Sequence, residues 1–383
     1  MDLTPILQGG RLIQVVGESG SGLSLVARHL HERVPGAAVQ RQDALSHVTF
    51  LRATVVEEAC VGLEQRGVPR EEMRRRAGRI LRLIGLDALA ERDPVTLSGG
   101  ELRRLAFACV AVLEPDTLVL DEPFAGLDVD SAAALSGYLG TVRGRVVVLG
   151  TSYRRELGGQ CLSLVDATLT PTSPPTPTRP ALPERVAPSG RVLELGMVGA
   201  RRGGSTRRLW RRGRGPSFVL QPVNLKAACG GVLWLQGPNG SGKTSLLRAL
   251  AGLDSAGAAP GAEASLALQR AADQVAESTV RDFVGPGGLA LAPRADPEAH
   301  PLDLSARDLR LAQLAQVFGQ RRPLVLLDEP DVGLDGPGRE AAHRLIAAGL
   351  RRGAAVVLTT HDPGFAGEVG RYADVEKLRL GGG

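Results

Sequence analysis

Residues 232–244 read VLWLQGPNGSGKT, an apolar run followed by a glycine-rich loop that ends in Lys243 and Thr244. The apolar run predicts a buried strand, residues 245–253 predict the next helix, and the loop matches G-x-x-x-x-G-K-[ST]. Glycines at such a turn let backbone N–H groups converge on phosphate oxygens at the positive end of a helix. The stretch therefore predicts a phosphate-binding loop in an α/β fold.

The side chains of this loop have separate expected roles. Lys243 should neutralise the outer phosphates of a nucleotide, and Thr244 should hold Mg²⁺. The other loop residues expected to contact the nucleotide are Gly237, Asn239, Gly240, Ser241, Gly242 and Ser245. Trp210 and Phe218 are the candidates for stacking on adenine.

Residues 17–24 repeat the loop as GESGSGLS, with Leu23 where the lysine should be. Gly17, Gly22 and Ser24 keep the backbone cradle, but the positive charge is gone. Since a charge-assisted contact contributes about 1.5–3 kcal/mol, we expect nucleotide affinity here to fall roughly 10- to 100-fold. The internal repeat predicts two nucleotide-binding domains of unequal quality.

Composition excludes several classes of protein. The chain has 383 residues, enough for two full cores, and its formal charge of +5 gives no global nucleic-acid signal. Four scattered cysteines form no C-x-x-C pair, which fits a reducing compartment. No apolar run approaches the ~18–20 residues that cross a bilayer, and residues 1–12 do not resemble a signal peptide. We therefore expect any membrane role to come through a partner.

Each half also contains an apolar strand that ends in an acidic pair. Asp121 and Glu122 follow residues 118–120, and Asp328 and Glu329 follow residues 325–327. The carboxyl end of a strand lies at the ligand crevice of an α/β sheet. The aspartate should orient Mg²⁺, and the glutamate should polarise the attacking water.

A later strand in each half leads to a residue suited to contact the γ-phosphate. The second half has His361 after residues 356–360, whereas the first half has Ser152 at the matching position. A helix start between the loop and the acidic pair differs as well. It reads LSGGE at residues 97–101 and LSARD at residues 304–308. Two glycines at a helix start let backbone approach a phosphate, so the second version should have lost that function.

The order of phosphate loop, Gln, LSGGE, LVLDEP, GLD and His resembles the ATP-binding cassette family over nearly the whole chain. Residues 54–69 further resemble the ATPase subunits of energy-coupling factor and cobalt-type importers. The resemblance implies that Ser98, Gly99, Gly100 and Glu101 cap ATP held by the other cassette. It implies that Gln269 serves Mg²⁺ and the water, and that Asp128 and Asp335 cross the dimer interface. Gln40 is the first-half counterpart of Gln269, with Gln42 as its rival.

Head-to-tail pairing of the two cassettes would then give one competent site. Lys243, Thr244, Gln269, Asp328, Glu329 and His361 would be capped by residues 98–101. The degenerate site would combine Leu23, Ser24, Gln40, Asp121, Glu122 and Ser152 with Ser305, Ala306, Arg307 and Asp335. Glu122 is the one catalytic residue that the degenerate site retains.

We expect two P-loop domains, each a mostly parallel sheet with a helical subdomain. Residues 1–167 form the first, 168–189 a Pro/Thr-rich linker, and 190–383 the second. Short spacings predict a reduced antiparallel subdomain in the first domain and a reduced helical subdomain in the second. The arginine-rich residues 200–215 are interpreted as a solvated hairpin insertion rather than a nucleic-acid or membrane contact.

The favoured function is the ATPase subunit of an energy-coupling factor importer, which uses ATP and Mg²⁺. Its partners would be a transmembrane coupling protein and a substrate-binding subunit, with no nucleic acid. It would be cytoplasmic and peripheral on the inner face of the cell membrane. The alternatives are a twin-cassette ATPase acting on ribosomes or nucleic acid, and an ATP-binding regulator with little turnover.

Overall fold

The computed structural model describes residues 1–97, 99–125, 127, 129–175, 180–202, 218–238, 240–253, 262–292 and 295–381. The chain divides into two compact units, Met1–Pro177 and Thr178–Gly383. Each has its own hydrophobic core and a mainly parallel sheet. The predicted α/β class with two repeated domains is therefore confirmed.

The first unit places six strands in the order β2-β3-β4-β1-β5-β6, and only the β5–β6 pair is antiparallel. Its strands are β1 (Leu12–Val16), β2 (Ala37–Gln40), β3 (Thr117–Asp121), β4 (Arg145–Gly150), β5 (Gln160–Val165) and β6 (Thr168–Pro171). Its helices are α1 (Thr4–Leu7), α2 (Leu23–Arg33), α3 (Val55–Glu64), α4 (Arg70–Leu83), α5 (Gly99–Ala111) and α6 (Val129–Thr141). The strand β3 is buried at every residue, because helices cover both faces of the sheet.

The second unit places five parallel strands in the order β10-β11-β12-β9-β13, with a separate antiparallel pair β7–β8. Its strands are β7 (Val192–Arg202), β8 (Phe218–Ala228), β9 (Val232–Gln236), β10 (Ala264–Ala267), β11 (Leu324–Asp328), β12 (Ala355–Thr359) and β13 (Val375–Arg379). Its helices are α7 (Lys243–Leu250), α8 (Val280–Gly288), α9 (Ala306–Gly319), α10 (Gly336–Arg351) and α11 (Pro363–Tyr372).

The two predicted reductions are present in the described residues. Ahead of β1 the first unit has only the short helix α1, whereas the second unit has the β7–β8 pair ahead of β9. Between β2 and α5 the first unit has two helices, α3 and α4, whereas the second has the single helix α8 between β10 and α9. Most of the arginine cluster, residues 203–215, lies outside the described residues, and so does Trp210.

The proline-rich segment between the units is partly structured. Residues 168–171 form β6, because the turn at Asp166 and Ala167 returns the chain antiparallel along the exposed edge of β5. Further on, Val186 is buried in the second core, and its N–H donates to the Tyr372 carbonyl at 2.6 Å. Extended linker residues thus pack on both units, and the domain limits proposed from sequence stay a prediction.

Helices α8 and α9 of the second unit contact each other through glycine residues where they cross. A Cβ at Gly319 would lie 2.4 Å from the backbone nitrogen of Gly288 and 2.7 Å from the carbonyl carbon of Gly287. Both neighbours are backbone atoms, so they cannot rotate away from an added methyl group. Small residues here let the single remaining helix of this subdomain pack closely on α9.

We expect Gly319→Ala to lower the free energy of unfolding of the second unit by about 1–3 kcal/mol, since overpacking forces a backbone shift. The matched control is Gly367→Ala in α11, where a Cβ would meet nothing within 4 Å. That change should stabilise by about 0.5–1 kcal/mol. Urea unfolding followed by circular dichroism measures both, and equal effects would contradict this account of the α8–α9 crossing.

Candidate functional site

In the second unit the phosphate-binding loop joins β9 to α7. Gly242 starts α7 with φ 93°, a left-handed conformation that favours glycine. Lys243 is 8% exposed, and its ammonium donates to the carbonyls of Gly237 at 2.7 Å and Pro238 at 3.0 Å. The Ser241 hydroxyl oxygen is buried without a hydrogen-bond partner among the described residues. The loop thus contains a buried cation and an unpartnered hydroxyl, a set of donors that fits a phosphate group.

The acidic pair of the second unit lies at the carboxyl end of β11. Asp328 is 2% exposed and accepts hydrogen bonds from the Thr359 hydroxyl at 2.7 Å and from the Thr244 hydroxyl. Burial raises the pKa of Asp328, and these hydrogen bonds oppose the rise. Glu329 has φ 50°, a strained conformation for a side chain of this size. These oxygens form a hard-donor set that suits a small divalent cation.

Two side chains expected around the attacking water converge on Glu329. The Gln269 amide donates to Glu329 Oε2 at 2.9 Å. The His361 Nε2 lies 3.4 Å from Glu329 Oε1, is buried and has no hydrogen-bond partner among the described residues. Residues from three separate loops, after β10, β11 and β12, are therefore brought together at one end of the sheet.

The equivalent place in the first unit has the same frame with different contacts. Gly22 starts α2 with φ 99°, and Leu23 is 8% exposed where Lys243 stands in the second unit. The Ser24 hydroxyl donates to Asp121 Oδ2 at 2.6 Å. Glu122 has φ 50°, as Glu329 does, and accepts from the Thr151 N–H at 2.7 Å. Burial raises the pKa of both carboxyls.

The other first-unit residues predicted for the site fall around this frame. Gly17 donates its N–H to the Gly150 carbonyl at 3.2 Å, so the loop begins beside β4. Strand register makes Thr151 the counterpart of His361, so the sequence-based choice of Ser152 is corrected, because β4 and β12 end at different points relative to the acidic pair. Ser152 corresponds to Asp362 and is exposed. Thr151 donates its N–H to Glu122, but it has no ring nitrogen that could approach the acid as His361 Nε2 approaches Glu329 Oε1.

Strand register favours Gln42 over Gln40 as the counterpart of Gln269. Gln40 ends β2 and Ala267 ends β10, and each strand pairs in the same register with the strand that carries the acidic pair. Gln42 and Gln269 both lie two residues further on. Gln40 is 3% exposed and Gln42 is exposed. The sequence-based choice of Gln40 is thus corrected, because a glutamine inside the strand cannot occupy the loop position of Gln269.

The two signature segments differ in what their side chains contact. Gly99 and Gly100 begin α5 of the first unit, and Glu101 follows in its first turn. In the second unit the Ser305 hydroxyl caps its own helix, accepting from Asp308 N–H at 3.1 Å and donating to Asp308 Oδ2 at 2.7 Å. The predicted residues Ser98, Asp128 and Asn239 lie outside the described residues.

Arg307 fills the space that a glycine would leave open in the second signature. Its guanidinium donates to Asp308 Oδ1 at 3.1 Å and to Asp335 Oδ2 at 3.0 Å. Asp335 is 6% exposed and also caps α10 by accepting the Gly338 N–H at 2.9 Å. These contacts of Arg307 and Asp335 join residues of the same unit, and the loss of phosphate contact by this segment stays a prediction.

Two residues next to the site, Arg310 and Asp331, were not identified from the sequence. Arg310 is 4% exposed, and its guanidinium donates to the carbonyls of Leu268 at 2.9 Å and Gln269. It thereby fixes the backbone of the catalytic glutamine candidate. Asp331 is an extra carboxyl where the first unit has Phe124, and its Oδ1 is buried without a described partner. A comparison of the two halves of the sequence could have identified Asp331, because the first half has Phe124 at that position. Arg310 could not be identified in this way, because only its burial shows its role.

Comparison with known proteins identifies the family. A family model described as "ABC transporter" matches residues 2–125 and 220–278. A protein of Streptomyces avermitilis, provisionally named an ABC transporter ATP-binding protein, is 30% identical over 426 residues, covering 86% of this chain and 75% of the relative. The chain belongs to the ABC transporter family. Members of this family bind and hydrolyse ATP, so the chain is an ABC ATPase.

Other similarities cover the chain less evenly. An energy-coupling factor transporter ATP-binding protein, EcfA2 of Geobacillus kaustophilus, is 36% identical over 154 residues, covering 33% of this chain and 53% of that protein. A solved model of ribosome-bound archaeal Pelota and ABCE1 has a TM-score of 0.64 at 17% identity, covering 96% of this chain and 72% of that one. At such identity the likeness shows the twin-cassette fold alone. No described helix is long and apolar enough to cross a membrane.

We expect Asp331 to make the stability of the second unit depend on pH. Burial raises the pKa of Asp331 to about 6. The folded state therefore keeps a proton that the unfolded chain has lost, so stability is highest below about pH 4 and falls as pH rises to about 6. Asp331→Asn should raise the melting temperature at pH 7 and change it little at pH 4.

Thermal unfolding without nucleotide measures this difference. Asp273→Asn, which replaces an exposed carboxylate of the same unit, is the control and should shift neither melting temperature appreciably. A wild-type chain whose stability rises between pH 4 and 6 by an amount unaffected by Asp331→Asn would contradict the prediction.

Proposed function

We propose that the chain is the ATP-hydrolysing subunit of an importer of the energy-coupling factor type, with one working ATP site. The observation that carries the one-site proposal is the replacement of the buried Lys243 by the buried Leu23 at the same position of the two phosphate loops. The working site would use the loop of the second unit and be capped by residues 97–101 of the first. The partial similarity to EcfA2 proteins supports the importer class.

Within this site each side chain has a chemical task. Lys243 would exchange its two backbone carbonyl acceptors for phosphate oxygens, which carry full charge and are stronger acceptors. Glu329 would accept the proton of the attacking water, oriented by Gln269 and His361. Thr244 and Asp328 would hold Mg²⁺, which neutralises phosphate charge when bound.

In the second composite site, three residues differ from those that perform these tasks. Leu23 supplies no charge, Thr151 at the position of His361 carries no imidazole, and Arg307 obstructs close approach of the second signature. Ser305 uses its hydroxyl on Asp308 instead of a phosphate. We therefore propose that this site does not turn over, although Glu122 is retained.

Glu329→Gln should lower steady-state ATP turnover at least 100-fold, since a general base contributes about 10²–10⁴-fold. Lys243→Ala should also abolish turnover through loss of the phosphate contact. Glu122→Gln is the matched control in the first unit and should retain at least half of the activity. Phosphate release measured on the purified full chain tests all three.

Similar losses from Glu329→Gln and Glu122→Gln would contradict the one-site proposal. A wild-type chain that binds ATP tightly without measurable turnover would favour the regulator instead.

A groove on the helical part of the first unit suits a partner segment. It lies between α3 and α4, and its apolar floor carries a charged rim. The lining residues are Arg52, Val56, Glu57, Cys60, Glu64, Arg70, Met73 and Arg74. Next to it on the chain, Phe50 is 37% exposed and Leu51 is 85% exposed. With the single helix α8 in this place, the second unit has no equivalent helix pair among its described residues.

We propose that a cytoplasmic segment of a membrane-embedded subunit docks in this groove. The groove begins shortly after Gln42 along the chain. A movement of Gln42 on closure around ATP would therefore reach the partner through one short loop. This proposal makes the chain cytoplasmic and peripheral at the inner face of the cell membrane, with substrate choice left to the membrane subunits.

Leu51→Glu should reduce recovery of the chain with membranes about tenfold or more, since burying one leucine at an interface contributes about 1.5–3 kcal/mol. Leu302→Glu is the control, because Leu302 is also exposed, at 52%, but lies in the second unit. Both variants should retain the melting temperature of the wild type. Equal membrane recovery of the two variants, or wild-type sedimentation with ribosomes instead of membranes, would contradict this proposal.

A further inference from the structure

A polar cluster links α10 and α11 beside the proposed working site. Arg339 of α10 donates from Nε to Glu368 Oε2 at 2.6 Å and from Nη1 to Asp362 Oδ2 at 2.5 Å. Its guanidinium also lies over the Phe365 ring, 5.1 Å from the centroid. Two carboxylates and an aromatic face hold this side chain in one position, because the guanidinium is planar and binds through a rigid fork.

The far side of the cluster is fully buried. The His343 side chain is 0% exposed, with Nε2 2.8 Å from Glu368 Oε2 and Nδ1 3.0 Å from the Tyr372 hydroxyl. Its ring stacks on Phe365 with centroids 4.5 Å apart. Glu368 is therefore fixed from behind by His343 and in turn fixes Arg339.

On its other side, the cluster contacts the backbone turn that follows His361. Asp362 accepts the Gly364 N–H at 2.7 Å, and its own N–H donates to the Thr360 hydroxyl at 3.0 Å. Arg339 grips the other carboxylate oxygen of Asp362. Since His361 Nε2 has no described hydrogen-bond partner, the position of its ring relative to Glu329 depends on this backbone turn.

The first unit provides an internal comparison. Counted from the aspartates of the two GLD motifs, Arg339 corresponds to Ala132. In the register of β4 and β12 against the strands that carry the acidic pairs, His361 and Asp362 correspond to Thr151 and Ser152. The first unit still forms α6, β4 and β5 in order. The frame of the fold therefore forms without the cluster, and the cluster is missing where the histidine is missing.

We propose that Arg339 is a positioning residue for His361. By holding Asp362 it fixes the turn that aims the histidine at Glu329 and the γ-phosphate. Asp335 caps the start of α10 and contacts Arg307, so Arg339 also links the second signature segment to the hydrolytic site proposed in the same unit. The proposal rests on hydrolysis at the second-unit site.

A double-mutant cycle in the full chain tests this role. Arg339→Met keeps an unbranched apolar stem and removes both ion pairs. It should lower kcat for ATP about tenfold and change KM less than twofold, since the phosphate loop is untouched. In a His361→Ala background the same change should lower kcat less than twofold further, because the residue it positions is gone.

Arg344→Met is the matched control on the same helix, since Arg344 is 61% exposed and pairs only with Glu340 among the described residues. It should leave kcat unchanged. Arg339→Lys should restore part of kcat, because lysine can reach one carboxylate but not both. Losses of kcat that multiply in the His361→Ala background, or an unchanged kcat in Arg339→Met, would overturn the proposal.

Should Arg339→Met fail to fold, Asp362→Asn replaces it in the cycle. Asparagine keeps the size and the cap acceptor of Asp362 but loses the charge that Arg339 grips. The same non-additivity with His361→Ala is expected, and additivity would overturn the proposal. A Glu329→Gln variant that still turns over would instead refute the proposed working site, so the two failures are distinguishable.

Discussion

Burial of the acidic pair at the end of β11 is the constraint that organises the second unit. A parallel strand covered on both faces leaves Asp328 and Glu329 with little water, and an unpaired buried charge is costly. Donors from three separate parts of the unit meet this cost: Thr359 of β12 and Thr244 of α7 donate to Asp328, and Gln269 donates to Glu329. The left-handed backbone of Glu329 is tolerated because these contacts fix it. The same contacts also position Thr244, Gln269 and Glu329 at the proposed phosphate site. The hydrogen bonds that satisfy the buried carboxylates therefore also build this site.

The first unit meets the same constraint with donors of its own, which gives its two acids a structural role. Asp121 is satisfied by the Ser24 hydroxyl at 2.6 Å and Glu122 by the Thr151 N–H at 2.7 Å. Replacing either acid would leave buried donors unpaired, at a cost of about 1–3 kcal/mol each. Retention of Glu122 therefore has a structural reason and does not by itself indicate catalysis. Loss of the lysine is easier to accommodate, because Leu23 is apolar and buried.

The sequence predicted those features that depend on short stretches of chain. Strands β3, β4, β9, β11 and β12, the two phosphate loops and the two trimmed subdomains all follow from local runs, spacings and an internal repeat. The choice between Gln40 and Gln42 failed because it depends on which residue ends β2, and boundaries are not set by apolar pattern alone. Arg310 and the cluster around Arg339 join residues far apart in sequence, and their burial is decided by tertiary packing. The pairing of residues 168–171 with β5 was missed because proline and threonine composition describes a linker and an edge strand equally well.

The two units have lost different parts, and the losses follow what each part would contact. The first unit keeps the glycine signature and the α3–α4 groove, which under the one-site proposal would act on something outside that unit. The second keeps the lysine, Gln269, His361 and the Arg339 cluster, which would act on a nucleotide held within it. If hydrolysis is confined to the second-unit loop, the phosphate-sensing residues of the first unit are no longer selected, while its outward-facing surfaces still are. Under the same proposal, the internal ion pair of Arg307 and Asp335 is tolerated in the second signature because the nucleotide site that this segment would cap is the one that carries Leu23.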